Sequence, residues 1–137
     1  MDVLGKKQRS RLMSRIRGKD TSPEMIVRRV VHSLGYRYRL YVHQLPGCPD
    51  LVFPSRRKAI LVHGCFWHRH RCRKGRSMPG TRPRFWSEKL SRNQTRDRLV
   101  RSRLRRLGWR VLVVWECQLH PKKLPALTAR LRRFLES

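Results

Sequence analysis

Between residues 45 and 72 the chain reads LPGCPDLVFPSRRKAILVHGCFWHRHRC, and the side chains most able to do chemistry gather there. Asp50 is one of only eight acidic residues, and His63, His68 and His70 are three of the six histidines. Cys48, Cys65 and Cys72 are three of the four cysteines, and Phe66-Trp67 stands among them. Two kinds of chemistry follow. Thiolates and imidazoles at close spacing, with one distant partner, are what a closed tetrahedral zinc site uses. Cys65-x4-His70-x-Cys72, completed by Cys117, has that form. Cys48 is the rival fourth ligand to His70, but it precedes the apolar run and would have to cross to the far end of a strand. A carboxylate beside histidines is a different signal. Phosphodiester cleavage needs an activated nucleophile, charge neutralisation on the phosphate and a proton for the leaving oxygen. Asp50 suits magnesium, which takes oxygen ligands, and His63 and His68 suit acid–base work near neutral pH.

These residues need a scaffold that brings them together. Thr21-Ser22-Pro23-Glu24 has the residues of a helix start, with Thr21-x-x-Glu24 matching a capping box. Ile26, Val27, Val30, Val31 and Leu34 then form a broad apolar face, and Gly35 is a natural stop. Tyr36 to Val42 alternates apolar residues with Arg and predicts a half-exposed strand. Leu51-Val52-Phe53 and Ala59 to Val62, joined by the basic turn 54–58, predict a hairpin that returns His63 toward Asp50. Residues 73 to 84 read as a basic loop. Phe85 to Leu107 reads as helix, in two pieces around Ser91-Arg92-Asn93, with Val100, Leu104 and Leu107 facing inward and Phe85 as a core aromatic. Glu88 and Asp97 on that helix read as solvated or paired with Arg. The near-continuous apolar run Trp109 to Trp115 predicts a central strand buried on both faces. A final helix from about Pro121 turns Leu124, Leu127, Leu131 and Leu135 inward. The expected fold is α/β, a mixed central sheet flanked by helices. A basic N-terminal arm over residues 1–19, helical from 6 to 17, precedes one domain over 20–137.

Across 137 residues, 35 Lys+Arg face 8 Asp+Glu, a formal charge of +27. Such self-repulsion works against compaction and calls for a polyanion, and Arg over Lys suits bidentate phosphate and guanine contacts. No apolar run approaches the ~20 residues that span a bilayer, and the N-terminus lacks the apolar region of a secretory signal. The expectation is a cytoplasmic, nucleoid-associated protein with nucleic acid as its partner. Phe66 and Trp67 lie on a tight, polar, metal-pinned loop where burying both is hard.

In order along the chain, MSRIRGKDTSPE, LPGCPDLVFP, HGCFWHRHRC, FWSEKLSRNQTRDR and GWRVLVVWEC resemble the very-short-patch repair (Vsr) DNA mismatch endonucleases. The resemblance implies a restriction-endonuclease-like core and a magnesium-dependent nick 5′ of the T in a T:G mismatch, the product of 5-methylcytosine deamination. It further implies that Asp50 and the Val62 backbone carbonyl hold magnesium, that His68 activates the nucleophile with help from Glu24, and that His63 lies on the phosphate. Cys65, His70, Cys72 and Cys117 would hold a structural zinc. Phe66, Trp67 and Trp86 would intercalate beside the mismatch, while Met13, Arg15, Arg17 and Lys19 of the arm grip the other side. The implied partners are double-stranded DNA bearing the mismatch, mismatch-repair proteins and a DNA polymerase, for a protein acting as a monomer. Val62 stands where the family often has Thr, a mild change if only its carbonyl binds metal, and Cys48 stands where a non-metal residue is usual. A non-catalytic, zinc-stapled nucleic-acid-binding protein is the competing reading, and a general nuclease that also cuts matched DNA is the third.

Overall fold

In the computed structural model, residues 20–137 are described. The arm, with Met13, Arg15, Arg17 and Lys19, lies outside them. Helix α1 (Ser22–Ser33) starts as its residues dictate. The Thr21 hydroxyl accepts from the Glu24 amide at 3.4 Å, and the Glu24 carboxylate accepts from the Thr21 amide at 2.7 Å. Two amides that a helix start leaves without partners are thereby satisfied. Gly35, at φ +89°, ends the helix in the left-handed region that glycine enters without strain.

Strands β1 (Leu51–Phe53) and β2 (Lys58–His63) pair antiparallel, with Leu51 opposite Ile60. The turn between them is a 3-10 segment, Pro54–Arg56, closed by Arg57 in the left-handed region. After the short helix α2 (Arg73–Arg76) and the long helix α3 (Pro83–Arg106), strand β3 (Arg110–Trp115) pairs parallel to β2, with His63 opposite Trp115. Two 3-10 turns, Glu116–Leu119 and Pro121–Lys123, lead into α4 (Leu124–Glu136).

Alternation along the strands assigns the faces. Leu51, Phe53, Ile60 and Val114 join Val27 and Val31 of α1 and Leu127, Leu131 and Leu135 of α4 in one core. Val52, Ala59 and Leu61 point the other way, where α3 packs against β3 and buries Leu90 and Leu104. His63 follows Val62 and so faces the α3 side. Mixed α/β architecture with helices on both faces agrees with the sequence.

Four expectations are corrected. Residues 36–42 form no strand; only Arg39 bridges Val52, through amide–carbonyl bonds of 2.8 and 3.0 Å. Tyr41 turns to φ +56° and sends its hydroxyl to Asp20, which breaks the extended run. The apolar strand β3 lies at an edge of the sheet among the described residues, and β2 is central. Only Val114 of β3 is fully enclosed, because hydrophobic content reports coverage by helices and not rank in a sheet. α3 runs unbroken through Ser91-Arg92-Asn93, since Ser and Asn cost a helix only tenths of a kcal/mol, about 0.5 each, and the inward stripe carries across them. Finally, the basic loop contains α2.

Candidate active site

The acidic corner is built by the turn before β1. Gly47 sits at φ +72°, and a Cβ there would lie 2.5 Å from Val100, so both backbone and packing call for glycine. Asp50 leaves this turn with its Oδ2 accepting from the Val62 amide at 2.6 Å. Glu24, 8% exposed, hydrogen-bonds the Asp50 carboxyl. Burial, then the Glu24 contact, push Asp50 up to about 8, against the lowering effect of the Val62 amide. A half-buried Asp50 that holds its proton at neutral pH against a second carboxyl is a poor structural element and a ready seat for a hard cation.

Across the site, the His63 and His68 rings stack 3.9 Å apart and within 5° of parallel. His68 Nδ1 makes a short hydrogen bond to Asp97 Oδ2, which leaves its Nε2 for other work. His63 is buried, its Nδ1 has no partner, and the Trp115 ring meets it edge-on at 5.1 Å. Burial above all, and then the neighbouring His68 ring, push His63 down to about 4, so it is uncharged at neutral pH. Ligand atoms of His63, His68 and Asp97 lie within 4.8 Å of one another. Parallel stacking prevents the two imidazoles from sharing one ion, because a metal–nitrogen bond lies in the ring plane. What the arrangement can do is hold one imidazole by a carboxylate, with its second ring nitrogen turned to the cavity for proton transfer.

Asp97 was misread as solvated or Arg-paired. The signal that would have found it is its stripe: Leu90, Asn93, Asp97, Val100 and Leu104 recur at helical spacing on one face of α3. Glu24, Asp50, Val62, His63, His68 and Asp97 all line a single cavity of about 900 Å³, with Lys89, Asn93 and Arg96 around it.

Beside that cavity, Cys65, His70, Cys72 and Cys117 place their ligand atoms within 4.8 Å of one another. His70 Nδ1 is 3.8 Å from Cys65 Sγ and 3.4 Å from Cys117 Sγ. A tetrahedral zinc with ordinary bond lengths separates such an N and S by about 3.6 Å. The donor set therefore fits zinc in chemistry and spread. The Gly75 amide and the His70 ring hold Cys72 down to about 6, whereas burial pushes Cys65 up to about 12. His70 stacks on Trp115 at 4.3 Å, and its backbone carbonyl lies 1.9 Å from where a Cβ on residue 75 would sit. Only glycine lets α2 close over the loop. Cys48 lines the cavity with Asp50 and stands apart from the four ligands.

Phe66, Trp67 and Trp86 converge, with ring centroids 5.3 to 5.8 Å apart, and Lys89 lies 5.3 Å over the Trp67 ring. All three are half-buried, and Phe66 and Trp67 line the cavity. Asn93 donates to the Trp67 carbonyl at 3.5 Å and ties this loop to α3. Phe85, read as core, is instead 39% exposed, because it lies on the outward side of the first turn of α3 under the Arg82 guanidinium.

The family model described as "DNA mismatch endonuclease Vsr" matches residues 1–74. A type II nicking enzyme of Xanthomonas oryzae pv. oryzae, V.XorIIP, is 50% identical over 98% of this chain and 97% of its own length. The DNA mismatch endonuclease Vsr of Escherichia coli is 42% identical over 98% of this chain and 87% of its own. A type II nicking enzyme of Neisseria meningitidis, V.NmeAIP, is 37% identical over 90% of this chain and 87% of its own. With catalytic-type groups around one cavity and a metal-type cluster beside it, this chain belongs to the Vsr DNA mismatch endonuclease family.

Proposed function

We propose that this protein is a magnesium-dependent, strand-specific endonuclease that nicks 5′ of the T in T:G mismatches and so opens very-short-patch repair. One observation carries the reading: a close acidic pair, a carboxylate-oriented histidine and the Phe66 and Trp67 rings all border the same cavity, with Lys74, Lys89 and Arg96 in its lining. Asp50 is the magnesium ligand: burial first, and then the neighbouring Glu24 carboxyl, raise its proton affinity, and a bound cation would favour its ionised form. The Val62 carbonyl is the second. Its amide already points at Asp50, and opposed residues of an antiparallel pair direct both backbone groups to the same side. Extending the pairing of Leu51 with Ile60 sets Val62 opposite Pro49, which has no N–H to give that carbonyl. When bound, magnesium would neutralise the phosphate and its developing charge.

His68, anchored through Nδ1 on Asp97, takes the proton of the attacking water at Nε2. Glu24 orients the nucleophile, and neutral His63 hydrogen-bonds the phosphate. Phe66, Trp67 and Trp86 wedge between base steps at the mismatch, where a wobble pair lowers the few kcal/mol, roughly, that unstacking costs. Met13, Arg15, Arg17 and Lys19 of the 1–19 arm clamp the duplex from the other side. Cys65, His70, Cys72 and Cys117 hold zinc that fixes the wedge loop, and residues 20–137 form one restriction-endonuclease-like domain. The protein works as a monomer at the nucleoid, handing its nick to mismatch-repair proteins and a DNA polymerase. No helix among the described residues is long and apolar enough to cross a membrane.

The test is a nicking assay on a T:G duplex and its matched counterpart with magnesium. The reading expects one cut in the T strand, none in the matched duplex, and loss of cutting in Asp50→Asn. Full activity in that variant overturns the assigned mechanism, and equal cutting of both duplexes overturns the specificity.

A further inference from the structure

Beyond the catalytic cavity, α3 carries a second concave surface. A groove of about 570 Å³ is lined by Arg98, Arg101, Ser102, Arg105 and Arg106, with no acidic residue among them. Among the described residues none of these arginines is in an ion pair. Arg98 and Arg101 are three apart and Arg101 and Arg105 four apart, so their charges repel along one helix face. Like-charge pairs at that spacing destabilise a helix by about 0.2–0.5 kcal/mol each. Asp97, four residues before Arg101, offsets part of that repulsion but already pairs with His68, and a polyanion would offset the rest.

The groove also continues the catalytic column. Asp97, Arg101 and Arg105 follow one another at four-residue intervals, which puts the two arginines about 6 and 12 Å further along the helix axis. Arg101 is near enough for its charge to act on the His63 ring. A DNA strand presents one charge per about 3.4 Å of helix axis, so the groove lies within a few phosphates of the cavity.

We infer that Arg98, Arg101, Arg105 and Arg106 form a phosphate track that grips the backbone of the substrate duplex beside the bond to be cut. This rests on the cavity of Asp50 and His68 being the cutting site. The track's job is to hold register: aromatic wedges report a mismatch but not how far the neighbouring phosphate sits from His68. Arginine forks contacting successive phosphates fix that distance without reading sequence.

The experiment is duplex binding as a function of salt for the full chain, its Arg101→Gln/Arg105→Gln variant and an Arg132→Gln/Arg133→Gln variant on α4 as a charge-matched control. Each phosphate contact contributes about 0.9 to the slope of log affinity against log salt. The groove variant should lower that slope by about 1.8, so wild type loses about 12-fold more affinity than the variant between 50 and 200 mM salt. Its melting temperature should hold or rise, since repulsion is relieved. The control should keep the wild-type slope. Neutral methylphosphonates at the phosphates flanking the nick should weaken wild type more than they weaken the groove variant. An unchanged slope in the groove variant, an equal loss in the control, or a response to methylphosphonates that does not differ between the two proteins overturns the track. Because binding is read on a matched duplex too, the result stands apart from whether T:G nicking is found.

Discussion

Asp97→Asn removes one charge and almost no volume from the partner of His68. The two side chains are 17% and 24% exposed, so water screens their interaction weakly. A hydrogen bond to a charged group contributes about 1.5–3 kcal/mol, which is about 10- to 160-fold in rate if His68 becomes cationic only in the transition state. A second loss comes from the tautomer. The carboxylate accepts only, which forces the proton onto Nδ1 and frees Nε2; an amide can donate to Nδ1 and reverse that. Reversal of this kind in an oriented histidine costs up to about 10⁴ in rate. The assay is single-turnover nicking of a T:G duplex at saturating protein and magnesium, with duplex affinity measured separately. Asp97→Asn should cut at least about tenfold more slowly while binding DNA as before. Asp97→Ala, which imposes no tautomer, should be the faster of the two. A nicking rate equal to wild type in both variants refutes the view that His68 acts through Asp97.

Other expectations follow from the same geometry. Purified protein should contain one tightly held zinc, by elemental analysis, and Cys65→Ser/Cys72→Ser should lose it together with several kcal/mol of stability, on the order of 3–5; full occupancy in that variant ends the zinc assignment. Asp50 in the folded, cation-free protein is raised from 3.8 to about 8. Its contribution to stability is therefore complete below the unfolded value and is lost as pH rises through about 8. A cation must displace that proton, so calorimetric magnesium affinity should climb about tenfold per unit between pH 6 and 8 and level off above, and a flat profile would contradict the assignment. Trp67→Ala should reduce nicking of T:G far more than it reduces general DNA binding, with equal losses counting against the wedge.

What could be read from residue order was whatever local chemistry dictates. The capping box at Thr21 and Glu24, the stripes of α1 and α4, the hairpin that returns Val62 to Asp50 and the spacing of the cysteines are all short-range patterns. The misses have a common cause in tertiary context. Alternation in residues 36–42 says nothing of Tyr41, which leaves the extended region to reach Asp20. An apolar run marks β3 as a strand but does not tell that β2 lies inside it and leaves all of β3 except Val114 at least partly open. Asp97 among so many arginines invites an Arg partner, and only the packing of α3 on the sheet reveals His68 as the partner. Glu24 is the instructive middle case: its capping role was legible, while its contact with Asp50 depends on α1 meeting the turn before β1.

Cys65 and Cys117 stand 52 residues apart, and the intervening chain includes all of α3. A metal held by both would tie the ends of that loop together in the folded chain, so that its binding energy offsets the cost of closing it. By the relation used for cross-links, a closure of this length is worth about 4 kcal/mol of chain entropy. Asp97 and the arginine groove both ride on the enclosed helix. Metal loading during synthesis would thus decide whether α3 docks in time to be useful. A chain that misses its ion would keep its charge, and with it an attraction to DNA, while losing the Asp97 anchor of the histidine proposed to act as base. Chelation should therefore produce a competitor of the loaded enzyme, not merely an inactive fraction of it.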